Sequence, residues 1–139
     1  MRCAFCGYDT DASVTWSAEV LLPFAWLSGN IIGTNGKGRL GWRYQKYRTE
    51  FRNKLFEHTT DIKEAKQYRR VIMTRRYGKG RRKLDKDNLI IGGKPLRDCL
   101  SELGLLVDDT PACCDVYPLQ EKSKDGKDYV HILIEELDL

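Results

Sequence analysis

Charged side chains cluster over three short stretches of this chain, and acids gather in the first and last against their own repulsion: Asp85-Lys86-Asp87-Asn88-Leu89, then Lys94-Pro95-Leu96, then Leu105-Leu106-Val107-Asp108-Asp109. Carboxylates two residues apart project the same way where the backbone is extended, so Asp85 and Asp87 are expected side by side. Asp109, with Asp108 beside it, is expected to join them from the loop that turns the chain back. Such a cluster of oxygens suits Mg2+, with Mn2+ as a substitute, because this cation takes oxygen ligands and is held by one or two carboxylates plus substrate phosphate. A metal there lowers the pKa of a bound water and steadies a departing oxygen during in-line displacement. Lys94 would neutralise charge developing on the phosphate. The expected chemistry is phosphodiester hydrolysis, with Mg2+ as cofactor and no small-molecule cofactor.

The plain alternative is that these acids only solvate the surface, as an isolated D-x-D usually does. Their neighbours argue for more. Between Lys66 and Leu84 stand nine basic residues and no acid. Residues 98–139 carry three Lys and eleven Asp or Glu, a net of −8, which leaves +12 on residues 1–97 of a chain whose total is +4. A dense basic run beside acids is a footprint for phosphate, and it points to nucleic acid without specifying a base sequence. Arg75, Arg76, Lys79, Arg81, Arg82 and Lys83 are expected to form the DNA-binding face.

A chain of 139 residues makes one domain with a single core. Val14, Trp16, Ala18, Val20 and Leu22 alternate with Thr15, Ser17, Glu19 and Leu21, the period of a half-buried strand. Ser28 to Gly41 is rich in glycine, without periodicity, and reads as a mobile basic loop. From Trp42 to Phe56, Tyr44, Tyr47, Phe51 and Leu55 recur at helical spacing with basic residues on the other faces. Tyr68 to Tyr77 reads as a second strand leading to a turn at Gly78-Lys79-Gly80. Pro95 fits the first position of a helix in which Leu96, Cys99, Leu100 and Leu103 share a face and Gly104 is the stop. Strands near 115–121 and 128–136 flank a polar turn and suggest a closing β-hairpin. The expected fold class is α/β (α+β): a single domain with a mixed sheet of about four strands packed by two main helices.

The series D-x-D-N-L at Asp85–Leu89, K-P-L-x-D-x-L at Lys94–Leu100 and G-L-x-x-D-D-T-P at Gly104–Pro111 resembles the RusA family of Holliday junction resolvases, especially its phage and prophage versions. The likeness covers roughly Trp16 to Leu137, and the full series is far more specific than D-x-D alone. It implies a homodimeric, Mg2+-dependent endonuclease that cuts paired strands symmetrically at a four-way DNA junction. It also implies that Asp85, Asp87 and Asp109 are the catalytic aspartates and Lys94 the essential lysine. Relative to the shortest family pattern, three residues of Ile90-Ile91-Gly92-Gly93 are extra, and the two glycines are expected to bulge so that Lys94 keeps its reach.

The remaining chemistry-bearing residues have duller readings. Residues 1–12 read as an N-terminal extension carrying Cys3-x-x-Cys6, ahead of an endonuclease domain over 13–139. A zinc site shared with Cys113 and Cys114 would need two adjacent cysteines as ligands, so free thiols are preferred. His58 and His131 lack a second ligand at metal spacing. Trp16, Trp26 and Trp42 read as core, with Trp26 the one placed to wedge into a junction. No apolar run is long enough for a membrane span and the N-terminus lacks an apolar signal region, so no membrane partner and a cytoplasmic, bacterial or phage-encoded protein are expected. The rival readings are a Mg2+-dependent nuclease acting on other branched nucleic acids, and a non-catalytic DNA-binding or zinc-binding module.

Overall fold

The computed structural model describes residues 13–32, 41–107 and 114–138. Its elements run β1 (Ser13–Leu22), α1 (Gly29–Ile32), α2 (Gly41–His58), β2 (Arg69–Tyr77), α3 (Lys86–Glu102), β3 (Cys114–Lys122) and β4 (Tyr129–Asp138). The four strands form one mixed sheet in the order β1-β4-β2-β3, with β4 antiparallel to both neighbours and β3 parallel to β2. This α+β single domain matches the expected class, with α1 as a small addition.

Alternation decides what each strand buries. Val71 and Met73 of β2, Val130, Ile132 and Ile134 of β4, and Val20 and Leu22 of β1 form one apolar layer. Against it lie Tyr47, Phe51 and Leu55 of α2 and Leu89, Leu96, Cys99 and Leu100 of α3. Phe24 stacks edge-on against Phe51 with ring centroids 5.1 Å apart, tying the end of β1 to α2. On the opposite sheet face, ion pairs such as Arg70–Glu135 (2.9 Å) sit among half-buried Ile72 and Leu133.

The expected β-hairpin is replaced by a crossover, because β2 lies between β3 and β4. The turn passes over the end of β2, where Ser123 N donates to the Tyr77 carbonyl and Lys79 N to the Gly126 carbonyl. Gly78 is required beneath it: a Cβ there would meet the Gly126 carbonyl oxygen at 2.4 Å. Parallel pairing of β3 puts its Val116 beside Val71 in the buried layer, and that burial outweighs the local turn signal.

The larger correction concerns α3. It starts at Lys86, so Pro95 lies inside the helix, and Gly92 and Gly93 neither bulge nor break it. Packing overrides propensity here. A Cβ on Gly92 would meet the Leu27 carbonyl oxygen at 1.9 Å, and one on Gly93 would meet the Trp26 ring at 2.3 Å. The glycines let the Trp26–Gly29 strap lie directly on the helix. Trp26 Nε1 donates to the Leu89 carbonyl (3.1 Å) and Tyr47 Oη to the Gly92 carbonyl (2.9 Å). These bonds flank Ile91, whose carbonyl Pro95 cannot serve. Trp26 is 2% exposed, so it is a core residue and not a wedge. The expected loop from Ser28 contains α1; its residues 33–40 lie outside the described residues.

Candidate functional site

The two inward-facing arginines of β2 organise the surroundings of the acidic stretches. Arg75 shares the phase of Val71 and Met73 and is 4% exposed. Its Nε donates to the Trp26 carbonyl (2.8 Å), and its Nη1 to the Arg82 carbonyl (3.0 Å) and to Gln120 Oε1 (3.3 Å). Gln120 completes the clasp, accepting from Leu84 N (3.0 Å) and donating to the Leu84 carbonyl (2.6 Å). The tether from Arg81 to Leu84 is therefore held by its backbone, which leaves Arg81, Arg82 and Lys83 exposed. Arg75 was expected among the exposed DNA-binding cations, but it is buried beneath this tether. Burial opposes its charge and lowers its pKa, with the Asp128 carboxylate partly compensating.

Arg69 does the equivalent job at the other end of β2. It is 2% exposed, donates from Nη1 to the Leu105 carbonyl (3.1 Å), and stacks over Trp16 at 4.8 Å. Leu105 and Leu106 are thereby anchored just before Asp108 and Asp109, which lie outside the described residues, as do Cys3, Cys6 and Cys113. Cys99 is buried, and burial pushes its thiol up to about 11, so it is inert.

The tether delivers Asp85 to the start of α3 as its N-cap, with extended backbone (φ −65°, ψ 163°). Its carboxylate accepts from Asn88 N (2.8 Å) and Asn88 Nδ2 (3.0 Å). These bonds favour the charged form and hold its pKa below the usual carboxylate range. Asp87 lies in the first helical turn, so the extended backbone expected through both acids stops at Asp85. Both remain exposed at one helix end, where the helix dipole favours negative charge.

Lys94 is exposed and follows Asp87 by seven residues on the same helix. Seven residues come within about 20° of two full turns and advance about 10 Å, so both side chains lie on one face, with Lys94 leaning towards the N-terminus. The Ile90-Ile91-Gly92-Gly93 stretch thus leaves the lysine on the Asp87 side of α3. Ile91 lies between them on this stripe and packs against Gly29 of α1, where a Cβ would meet its Cγ2 at 2.4 Å.

Of the expected DNA-binding residues, Lys79, Arg81, Arg82 and Lys83 are exposed, Arg81 within 3.3 Å of Asp128, and Arg76 is partly covered by its pair with Glu121 (2.8 Å). His58 closes the end of α2 through the Lys54 carbonyl (2.8 Å), and His131 lies 3.4 Å from Glu19. Among the described residues, no group of three or more His, Cys, Asp or Glu could hold a metal ion. Asp85 and Asp87 place two exposed carboxylates at the same helix end, not side by side as the extended backbone would have set them, and carboxylate oxygen is the donor type that Mg2+ takes together with phosphate and water. No helix among the described residues is long and apolar enough to cross a membrane. The strand phase of Arg75 was legible in advance, in step with Val71 and Met73, whereas nothing in the sequence signals the clasp by Gln120.

The chain matches no protein-family model, and no curated protein matches it significantly.

Proposed function

We propose that this chain is a Mg2+-dependent endodeoxyribonuclease that resolves four-way DNA junctions as a cytoplasmic homodimer. The observation that carries the reading is the junction of tether and helix: exposed Arg81, Arg82 and Lys83 lead directly into Asp85 and Asp87, with Lys94 on the Asp87 face of α3. The resemblance of the D-x-D-N-L, K-P-L and D-D-T-P series to the RusA family supplies the reaction class. The basic tether holds the phosphate backbone, Asp85 and Asp87 hold the metal together with Asp109 and Asp108, and Lys94 faces the charge on the scissile phosphate. A bound Mg2+ supplies activation of water and charge neutralisation. Two symmetric cuts across a two-fold junction are most simply made by a two-fold dimer.

A second reading has its own observation. Asp85 already has a structural task as the cap of α3, and the acids would then belong to a non-catalytic DNA-binding module. Single-turnover cleavage of a four-way junction, a fork and a linear duplex, in Mg2+ and in chelator, separates the two. Asp87→Asn and Asp109→Asn are expected to lower the Mg2+-supported rate by about a hundredfold or more while leaving the melting temperature unchanged. Asp85→Asn is the sharpest variant, because Asn caps a helix as well as Asp does. It should keep the wild-type melting temperature and lose cleavage, whereas Asp85→Ala should lose both. Wild-type cutting by Asp85→Asn and Asp87→Asn would leave only the capping role, and equal cutting of fork and linear duplex would remove the junction specificity.

A further inference from the structure

A groove of about 460 Å³ lies between the end of β1, α1 and α2, and Leu27 and Ile31 of the Trp26–Ile32 strap line it. Its floor is apolar, with Pro23, Ala25, Leu27 and the 40% exposed Ile31. Its rim is cationic: Arg43, Lys46 and Lys54 come from α2, and Arg81 comes from the basic tether. Glu50 is the one acid lining it among the described residues, and it lies 3.9 Å from Lys46. The strap links the groove to the carboxylate end of α3. Gly29 packs on Ile91 and lies near Asn88, and Tyr47 Oη accepts from Leu27 N (3.2 Å) while donating to the Gly92 carbonyl.

We propose that this groove binds unpaired nucleotides of a DNA strand, with phosphates on the Arg43, Lys46, Lys54 and Arg81 rim and a base against the Leu27–Ile31 floor. The inference rests on the nuclease reading for its substrate and adds where a single strand leaves the carboxylates. Charge complementarity selects the occupant: among the described residues the lining carries four cations and one acid, Lys46 lying near Glu50 and Arg81 near Asp128, and cations around an apolar floor match a polyanion that carries flat apolar faces. An acidic peptide offers the charge without the repeating phosphates, and an uncharged apolar ligand leaves the rim unused. Size selects the form. The groove has the volume of a site for one small organic molecule, which admits a splayed nucleotide and not a duplex.

The test is fluorescence anisotropy in chelator, where no cleavage occurs, using full-length protein with a short labelled oligothymidylate and a labelled duplex. Lys46→Glu with Lys54→Glu should weaken oligothymidylate binding at least tenfold and duplex binding by less than about threefold. Removing two phosphate contacts should also flatten the single-strand salt slope by about 1.4. Ile31→Glu should weaken the single strand alone, and Lys63→Glu, an exposed cation outside both the groove and the basic run, should change neither. Melting curves confirm the fold, and if Ile31→Glu unfolds, the lysine pair still decides. Equal losses on strand and duplex, or none on either, would overturn the groove. Failure of the nuclease reading shows separately, as junctions left uncut in Mg2+ while this binding pattern persists.

Discussion

Replacing Arg75 with Met tests whether this arginine supports the basic tether from below or belongs to the DNA face. Arg75 is 4% exposed, and its guanidinium donates to the Trp26 carbonyl, the Arg82 carbonyl and Gln120 Oε1. Gln120 Oε1 keeps the Leu84 amide as a partner after the substitution, but the two carbonyls lose theirs. Hydrogen bonds from a charged donor contribute about 1.5–3 kcal/mol each, so losing the pair costs about 4 kcal/mol. Met recovers the packing of the stem and removes the need to bury a charge, which offsets about 1 kcal/mol. A net loss of about 3 kcal/mol should lower the melting temperature by about 10 °C for a domain of this size. Arg75→Lys should recover less than half of this, because one ammonium cannot reproduce a planar fork that spans both carbonyls. The paired measurement is DNA binding against salt. Arg75 meets no phosphate in this arrangement, so the salt slope of Arg75→Met should equal that of wild type, whereas Arg82→Ala should flatten it by about 0.9. A melting temperature within roughly 2 °C of wild type, together with a flattened slope, would refute the buried role and return Arg75 to the surface.

Gly92→Ala raises intrinsic helix propensity by about 1 kcal/mol, yet its new Cβ would stand 1.9 Å from the Leu27 carbonyl oxygen. Since the strap must move, denaturant titration should show net destabilisation of about 2 kcal/mol; a stabilised variant would mean that the strap is not pressed against α3. Asp125 accepts from Ser123 Oγ (2.6 Å), Tyr129 Oη (2.6 Å) and Lys127 N (3.0 Å), and these bonds depress its pKa to about 2. Because the folded value lies below the unfolded one, the stabilisation is fully present above pH about 4 and disappears as pH falls through about 2. The difference in melting temperature between wild type and Asp125→Ala should therefore be constant from pH 5 to 7 and shrink towards pH 2; a difference that grows on acidification would be inconsistent with this turn.

Periodicity by itself determined most of the secondary structure. The alternation of Val20 and Leu22, the helical spacing of Tyr47, Phe51 and Leu55, and the β-branched run of β2 each correspond to the element they suggested, because their apolar residues are the ones the sheet and helices bury. The clustering of basic residues before Asp85 was equally legible, since charge needs no fold to be counted. The pairing of β3 was not legible, because the 123–128 turn looks the same whether it closes a hairpin or crosses β2, and only burial of Val116 beside Val71 distinguishes them. Nor was the start of α3: two glycines and a proline argue locally against a helix, and only the Leu27 carbonyl and the Trp26 ring, more than sixty residues away in sequence, explain them. Arg75 combines both lessons. Its charge reads as surface, its phase in β2 reads as core, and the tertiary structure decides for core because acceptors from two distant segments and from the nearby tether converge on it.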